Sequence, residues 1–384
     1  MAIINKKRMI KNFMDMARIP SLSLREKEMA NFVIEKFKPF CQKIEYDDSA
    51  KKINGNCSNL ILRVKAGKNK TSIFNPFLLS AHLDTVGPAD KINPILKKDR
   101  IITDGKTVLG ADCKAAISII LEVLHILKEK KIDHPEIEIL FTVSEEMGLL
   151  GSKNLNFSKI KSKYGIILDN EQNIENLILK APGANSIKIE VYGIASHSGV
   201  EPEKGLSAIK IISEIISQIE IGRVDIETTQ NIGLIEGGEG VNIIAPKAMA
   251  IGEIRSLSKD KIKMQIKKIE EIVNRIQKRY KKAHIKFYSQ EKFPSLNIKD
   301  EKIVKLIKNS MSKFNIKMKN GISGGGTDAN ILNSKGIITP ILATGMRDVH
   351  TTKEYLNLNE FFKSSLILLD IIKSVQAEGL NGNK

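Results

Sequence analysis

The sequence predicts an α/β protein in which a second, α+β domain is inserted into the first. Apolar strand-like runs alternate with helical patterns over residues 1–182 and again over residues 295–384, which is typical of folds that cover a largely parallel sheet with helices. Residues 183–294 instead show the order β-α-β-β-α-β, which is typical of a ferredoxin-like unit. We therefore expect two domains, the first built from both ends of the chain.

The composition is that of a globular protein. Of the 384 residues, 42% are hydrophobic and 27% are charged, as in ordinary folded domains with large cores. No run approaches the roughly 18 apolar residues of a membrane span. Charges at Asp15, Arg18 and Arg25 favour an amphipathic N-terminal helix over a signal peptide. Three cysteines without CxxC spacing predict free thiols and a cytoplasmic location.

The chain carries a formal net charge of +17, mostly from lysine. Nucleic-acid binding is one explanation of this charge, and lysines spread over solvated faces are another. We favour the second, because lysine is interspersed with glutamate, aromatic content is only 5% and there is no tryptophan to stack on bases. We expect no nucleic-acid partner, although the charge can steer anionic substrates.

The first elements of the chain are two helices and two strands. Helical spacing covers residues 6–18 and 24–40, with Ser21 or Ser23 as the expected N-cap of the second helix. Residues 59–65 alternate as in a strand, and a second strand ends at His82. These elements begin the α/β pattern.

The second of these strands ends in the segment from Ser80 to Pro88, which contains His82 and Asp84. In extended chain these two side chains project to the same side, as do a metal-ligating histidine and the carboxylate that orients it. Taken alone, a His-x-Asp pair is more often an ordinary strand end than a metal site.

Further carboxylates lie at the ends of strand-like runs or at the start of a helical one. Asp112 precedes the strongest helical pattern, which begins at Lys114, and a helix N-cap is the alternative interpretation of this aspartate. Glu145 and Glu146 follow the strand at 136–143. One of them could bind metal while the other acts as a general base, or both could lie in a solvated turn.

Residues 164–169 repeat the arrangement, because Asp169 ends an apolar run. Sites in open α/β sheets form outside the carboxyl ends of the strands. Four places in the chain carry a charged or imidazole side chain where such a site would form. All four together are harder to explain by chance than a single one. They are His82, Asp112, the pair Glu145 and Glu146, and Asp169.

The inserted unit contains two more candidates. His197 lies among small residues, where it could hydrogen-bond to a substrate oxygen, and Arg255 offers a planar fork that suits a carboxylate. Each residue alone is better explained as an ordinary loop histidine or an exposed strand arginine. The predicted elements here are strands at 186–193, 229–236, 242–254 and 284–289 and helices at 205–219 and 259–281.

The C-terminal part predicts a helix at 302–313, a strand at 337–344 and a final helix at 359–377, with His350 after the strand. The segment from Ile322 to Asn330 is rich in glycine, so its backbone amides could hold an oxyanion or a carboxylate. It lacks the Lys-Ser/Thr ending of a P-loop, so we do not expect nucleotide binding.

Five of these side chains form a plausible metal set of two imidazoles and three carboxylates, namely His82, Asp112, Glu146, Asp169 and His350. Nitrogen and oxygen donors of this kind suit zinc. Five ligands exceed the needs of one tetrahedral ion and fit two ions if one carboxylate bridges them. Other divalent metals, such as cobalt or manganese, stay open.

Six motifs follow one another along the chain. They are Ser-Ala-His-Leu-Asp-Thr-Val from residue 80, Gly-Ala-Asp-Cys-Lys-Ala-Ala from residue 110, Ser-Glu-Glu-Met-Gly from residue 144, Leu-Asp from residue 168, Ala-Ser-His-Ser-Gly from residue 195 and a C-terminal histidine at residue 350. This series resembles the co-catalytic zinc peptidase superfamily of peptidase T, carboxypeptidase G, the aminoacylases and succinyl-diaminopimelate desuccinylase. The resemblance covers essentially the whole chain. The forms Gly-Ala-Asp-x-Lys and Gly-Gly-Thr-Asp-Ala-Asn look closest to peptidase T-like proteins.

The resemblance implies a zinc-exopeptidase-like catalytic domain, with the inserted unit as a lid or dimerisation domain, and it implies a homodimer. It also implies the ligand assignment. His82 and Asp169 would bind one zinc ion, Glu146 and His350 the other, and Asp112 would bridge the two. Cys113, beside the bridging aspartate, receives no ligand role.

The same resemblance implies the remaining roles. Glu145 would be the general base and Asp84 would orient the neighbouring histidine. His197 would stabilise the tetrahedral oxyanion, in its own chain or across a dimer, and Asn242 and Arg255 would hold a substrate carboxylate.

The sequence is compatible with three functions, of which we favour the first. The first is a dinuclear zinc exopeptidase of the tripeptide aminopeptidase type, acting on short peptides. The second is an N-acyl amino acid amidohydrolase, such as a deacetylase or desuccinylase. The third is a metal-free binding or scaffold protein, which the presence of Glu145 and all five ligands argues against.

Overall fold

The computed structural model describes residues 3–67 and 72–381, without the side chains of residues 377–381. The chain divides into two compact units. The first contains the chain up to residue 180, residues 298–323 and the chain from residue 327 onward. The second contains residues 181–297 and residues 324–326.

The elements alternate as in a mixed α/β protein. Up to residue 181 they are α1 (Lys6–Ala17), α2 (Lys27–Phe37), β1 (Lys43–Tyr46), α3 (Ser49–Ile53), β2 (Leu60–Val64), β3 (Phe77–His82), β4 (Ile95–Leu96), β5 (Arg100–Ile102), α4 (Ala111–Glu129), β6 (Ile137–Thr142), α5 (Leu150–Lys153), β7 (Tyr164–Asn170) and β8 (Asn176–Ala181). Then follow β9 (Gly183–Tyr192), α6 (Ala208–Ile216), β10 (Gly222–Asp225), β11 (Thr228–Gly237), β12 (Lys247–Ser256), α7 (Lys259–Arg279), β13 (His284–Phe293) and β14 (Leu296–Asn297). The C-terminal elements are α8 (Glu301–Ser312), β15 (Lys319–Ile322), α9 (Asp328–Ser334), β16 (Ile341–Ala343), β17 (Met346–Arg347), β18 (Tyr355–Asn357) and α10 (Leu358–Asn381).

The main sheet of the first unit places four parallel strands side by side. Its order includes β1-β2-β6-β3-β7-β16-β8, and β3 pairs in parallel with both β6 and β7. β16 is parallel to β7. Because parallel strands end at the same edge of a sheet, the segments that follow β3, β6, β7 and β16 meet there. This confirms the predicted α/β class.

Helix α4 is the central helix of the first unit. It is buried over most of its length, from Ala111 to Leu127, as expected of a helix that is apolar on nearly all sides. It contacts β3 and β7 on the sheet, and α1 and α10 pack against it. Regular helical geometry begins only at Lys114, because Asp112 and Cys113 have non-helical dihedral angles.

Side-chain caps begin most of the longer helices. Asn5, Ser207, Ser258 and Asp300 accept hydrogen bonds from backbone N–H groups at the starts of α1, α6, α7 and α8, which satisfies donors that the helix leaves unpaired. The expected N-cap of α2 is wrong. That position is held by Glu26 without a capping hydrogen bond.

The second unit is the predicted ferredoxin-like unit with one additional edge strand. Its five strands follow the order β10-β11-β12-β9-β13, and all neighbours are antiparallel. β12 begins at Lys247, five residues later than the strand predicted from residue 242, so Asn242 lies in the preceding loop.

The core of the second unit lies between its sheet and helices α6 and α7, which contact β9, β12 and each other. It is almost entirely aliphatic. From the central strand β9 it includes Ile187, Ile189 and Val191, and from α6 it includes Ile211 and Ile215. Since isoleucine and valine pack well on a pleated surface, this core explains why the alternating pattern predicted these strands correctly.

We expect Ile189→Ala to destabilise the protein by about 2–5 kcal/mol, because it removes buried methylenes and leaves a cavity. Urea unfolding followed by circular dichroism measures this change. Ile226→Ala is the matched control, since Ile226 is 88% exposed, and it should change stability by less than about 0.5 kcal/mol. Equal effects of the two substitutions would contradict the central position of Ile189.

Candidate active site

Polar side chains gather where the parallel strands of the main sheet end. His82 is the last residue of β3, Thr142 is the last residue of β6, and Asp169 is the penultimate residue of β7. The register aligns His82 with Thr142, and Ser80 lies opposite Ile167 on the other side. The sheet therefore brings the predicted residues of three separate motifs to one edge.

His82 is fixed in a single orientation. Its Nδ1 lies 2.9 Å from the backbone oxygen of Asp84 and 3.4 Å from a carboxylate oxygen of the same residue. A proton on Nδ1 that is donated to this carbonyl leaves the lone pair on Nε2, the tautomer that a metal ligand needs. His82 Nε2 points to Asp112 Oδ1 at 2.9 Å and to Asp169 Oδ1 at 3.9 Å.

Asp112 lies between two imidazoles. Its Oδ1 faces His82 Nε2, and its Oδ2 lies 3.3 Å from His350 Nε2. Although burial favours the neutral acid, the two histidines hold the pKa of Asp112 below its usual range. Asp112 does not cap α4, because both of its carboxylate oxygens face histidines, while regular helical geometry begins only at Lys114. The capping alternative is therefore wrong.

His350 approaches the site from the loop between β17 and β18. Its Nε2 lies 2.8 Å from Glu146 Oε1, and its hydrogen bonds to Asp112 and Glu146 raise its pKa to about 10. The histidine adopts a positive φ of 62° and its side chain is 49% exposed, whereas the side chain of His82 is only 2% exposed.

Glu145 and Glu146 leave β6 in a turn that Asp84 holds. The backbone N–H of Glu145 donates to Asp84 Oδ1 at 3.0 Å, and the N–H of Glu146 donates to Asp84 Oδ2 at 3.1 Å. Glu145 is buried. Burial and the charge of Asp169 raise the pKa of Glu145 well above its ordinary range, which favours a carboxyl group that can accept and return a proton.

The donor groups of the site fit divalent cations. Ligand atoms lie within 4.8 Å of one another in the sets His82–Asp112–Cys113–Asp169, His82–Glu145–Glu146 and Asp112–Glu146–His350. Burial and the charge of Asp112 raise the pKa of Asp169, because buried like charges repel one another. A bound cation would compensate these charges, and imidazole and carboxylate are donors that Zn²⁺ and related ions accept.

Cys113 belongs to one of these sets, although the sequence gives it no ligand role. Its thiol is fully buried and donates a hydrogen bond to the backbone oxygen of Leu168 at 3.0 Å. Burial raises its pKa well above the ordinary value. The Cys113 thiol therefore ties the chain next to Asp112 to the end of β7.

Glu354 is a site residue that sequence reasoning missed. It is buried, and its Oε2 accepts the N–H groups of Leu109 and Gly110 at 2.6 and 2.8 Å. Its Oε1 accepts the N–H of Asp112 at 3.1 Å. Glu354 follows His350 in the same loop, so it joins the two parts of the chain that provide facing ligands. No local sequence pattern predicts this contact across more than 240 residues.

Asp328 was also missed. It begins α9 within the glycine-rich segment, is buried, and accepts a hydrogen bond from the hydroxyl of Thr142 at the end of β6. Burial raises its pKa. Thr327 caps the helix through a capping box with Asn330. This part of the segment therefore supports the strand that leads to Glu145.

The second unit brings two of the predicted substrate residues together. His197 and Asn242 are both exposed, and Ser198 N donates to the backbone oxygen of Asn242 at 2.9 Å. Arg255 lies on β12, where its Nε and Nη2 pair with both carboxylate oxygens of Glu253 at 2.9 and 3.1 Å. A substrate carboxylate at Arg255 would therefore compete with Glu253.

Two further expectations concern the chain as a whole. Cys41, Cys57 and Cys113 are free, as their spacing predicted. Among residues 3–67 and 72–381, none of the helices combines the length and apolar character that crossing a bilayer requires.

Comparison with known proteins identifies the family. The family model of the M20 peptidase dimerisation domain matches residues 179–281, and that of peptidase family M28 matches residues 59–186. The uncharacterised protein YqjE of Bacillus subtilis strain 168 is 34% identical over 376 residues, which covers 97% of this chain and 99% of that protein.

Two solved structures are similar over their full length. Aminopeptidase PepT from Bacillus cereus ATCC 10987 has 33% identity and a TM-score of 0.90, covering 97% of this chain and 100% of its own. A tripeptidase from Staphylococcus aureus Mu50 has 32% identity and a TM-score of 0.91, covering 98% and 100%. Together with the candidate metal ligands at the sheet edge, these matches show that the chain belongs to the M20 family of metallopeptidases, close to peptidase T, and is a metallo-exopeptidase.

Proposed function

We propose that this chain is a dinuclear zinc aminopeptidase of the tripeptidase type, which hydrolyses short peptides. The observation that carries the proposal is the position of Asp112, whose two carboxylate oxygens face the Nε2 atoms of His82 and His350. A carboxylate between two imidazoles suits a bridge between two ions. The names of the similar aminopeptidase and tripeptidase support the same substrate class.

We assign the five ligands to two groups that share only Asp112. His82 and Asp169 would hold one ion, which the donor set His82–Asp112–Cys113–Asp169 supports, and Glu146 and His350 would hold the other, which the set Asp112–Glu146–His350 supports. Zinc is proposed because the donors are imidazole and carboxylate. When bound, such ions lower the pKa of a coordinated water molecule and polarise a carbonyl group.

The remaining residues would act on protons and on the substrate. Glu145, buried and with a raised pKa, would take a proton from the attacking water and pass it to the leaving amine. Asp84 would orient His82. His197 would donate to the tetrahedral oxyanion, and Asn242 and Arg255 would bind the substrate carboxylate.

We also propose a homodimer and a cytoplasmic location. The match to a peptidase dimerisation domain over residues 179–281 supports the dimer. Exposed apolar residues on β11, Leu234 and Ile235, offer surface that a second copy could cover. Three unpaired cysteines are consistent with a reducing compartment.

A substrate panel tests the function. With the zinc-loaded protein we expect release of the first residue from tripeptides, but no hydrolysis of N-acetyl or N-succinyl amino acids or of N-blocked tripeptides. Chelation should abolish turnover and added zinc should restore it. Hydrolysis of acyl amino acids alone would identify an amidohydrolase, and full activity after metal removal would contradict the metal mechanism. Weaker binding of C-terminally amidated peptides would support the proposed roles of Asn242 and Arg255.

Glu145→Ala should lower kcat by at least about 100-fold, because general-base catalysis contributes about 10²–10⁴-fold. Steady-state kinetics on a tripeptide, together with metal analysis, checks this expectation. Both metal equivalents should be retained, since the five proposed ligands are unchanged. Glu28→Ala, an exposed glutamate on α2, is the control. A near-normal kcat in Glu145→Ala would exclude Glu145 as the base.

Glu354→Gln should weaken zinc binding by about 10–100-fold, the usual effect of changing a residue that supports metal ligands. Glutamine replaces one acceptor oxygen of Glu354 with a donor, which then faces a backbone N–H. Isothermal titration of metal-free protein with zinc measures the affinity.

The control for this experiment is Glu138→Gln. Glu138 is also a buried carboxylate that accepts backbone N–H groups, those of Lys161 and Ser162, but it lies near the beginning of β6, away from the carboxyl end. Its substitution should leave zinc affinity unchanged. Equal losses in both variants would contradict a specific link between Glu354 and the metal site.

A further inference from the structure

The segment between α1 and α2, residues 19–26, contacts three of the motifs that form the site. We call this segment the N-terminal strap. The buried amine of Lys114, two residues after Asp112, donates to the backbone oxygen of Ile19 at 2.8 Å. Thr85 N, next to Asp84, donates to the backbone oxygen of Ser21 at 2.8 Å. The strap is thus joined to the segments after β3 and at the start of α4.

The third contact reaches the turn that carries Glu145 through the carboxylate of Asp84. Ser23 Oγ donates to Asp84 Oδ2 at 2.7 Å, and the Asp84 carboxylate also accepts the backbone N–H groups of Glu145 and Glu146. Asp84 is fully buried. Ser23 therefore fixes the carboxylate that in turn fixes two consecutive amides of the turn.

Glu26 holds the preceding residue of this turn. Its Oε1 accepts Ser144 N at 2.9 Å, Ser144 Oγ at 2.8 Å and Leu24 N at 2.9 Å. Glu26 is completely buried, and among the residues that the structure describes its Oε2 has no hydrogen-bond partner. Every polar contact of this side chain is thus directed at Ser144 and at the strap itself.

Ser144 adopts a backbone conformation that needs support. Its φ is +51°, in the left-handed region that residues other than glycine rarely occupy. This conformation allows the N–H groups of residues 144, 145 and 146 to point to the two carboxylates of Glu26 and Asp84. Without an acceptor at Glu26, the turn would lose the contact that holds Ser144 in this geometry.

We propose that Glu26, with Ser23, is a positioning residue for Glu145. Glu26 acts through Ser144, and it sets the direction in which the chain leaves β6 and hence where the Glu145 carboxylate lies. This role rests on the proposed function of Glu145 as general base. Glu26 would thus affect catalysis although its buried carboxylate contacts none of the proposed metal ligands directly.

The role requires an acceptor at Oε1, not a negative charge. All three hydrogen bonds of Glu26 end on Oε1, so glutamine can preserve them whereas alanine cannot. The two substitutions therefore separate positioning from any requirement for charge. Glu122→Ala is the matched control, because Glu122 is another buried carboxylate that ties N-terminal residues to the first unit, through Asn5 N and Arg8.

The experiment combines kinetics with hydrogen exchange on the zinc-loaded protein. In Glu26→Ala we expect kcat on a tripeptide to fall by at least about tenfold with KM nearly unchanged, since small misplacement of a catalytic group is costly. Amides of residues 143–149 should exchange at least about tenfold faster, because the turn loses its acceptor. Glu26→Gln should stay within about threefold of the wild type in both measurements, whatever its thermal stability.

Three outcomes would overturn the proposal. The first is Glu26→Ala with unchanged exchange over residues 143–149, and the second is a loss of kcat in Glu122→Ala as large as in Glu26→Ala. The third is a loss in Glu26→Gln equal to that in Glu26→Ala, which would require the charge. If the wild type hydrolyses no peptide, or if Glu145→Ala stays active, the proposed function fails instead, and the exchange data still decide whether Glu26 holds the turn.

Discussion

The site depends on the placement of one carboxylate between two imidazoles. Asp112 meets His82 on one side and His350 on the other, and these residues come from distant parts of the chain. A buried carboxylate is stable only with compensating partners, so the first unit must bring both histidines to the same point. The parallel strands β3, β6 and β7 do this for His82, Glu146 and Asp169, and the loop between β17 and β18 adds His350.

A second layer of buried carboxylates holds the backbone around these ligands. Asp84 accepts the amides of Glu145 and Glu146, Glu26 accepts that of Ser144, and Glu354 accepts those around Asp112. Ionised or neutral, a carboxyl group offers acceptor oxygens to N–H donors that would otherwise be left unpaired in the interior. The geometry of the candidate ligands is therefore set by hydrogen bonds to the main chain as much as by side-chain packing.

The sequence predicted most helices and the strands that lead to the site, β3, β6 and β7, because their apolar patterns repeat with the period of the element that they form. It did not predict β1, β8 or the short strands β4, β5, β17 and β18. It also predicted which polar residues follow the strands that lead to the site, and the structure brings His82, Asp112, Glu146, Asp169 and His350 together. It did not predict Glu354 or the contacts of Ser23 and Glu26, since these depend on partners far away in the chain. Ser23 matched a helix-cap pattern, but its hydroxyl instead reaches Asp84, where a buried acceptor outweighs the local preference for capping.

The different exposure of the two histidines has a consequence for metal exchange. His82 is enclosed by the sheet, whereas half of the His350 side chain is open to solvent on a loop. An ion held by His350 and Glu146 could leave through this open side without disturbing the sheet, while one held by His82 and Asp169 could not. The two positions would then differ in lability, and a partly loaded protein would retain its ion at the buried position while the outer one equilibrates with the surrounding solution.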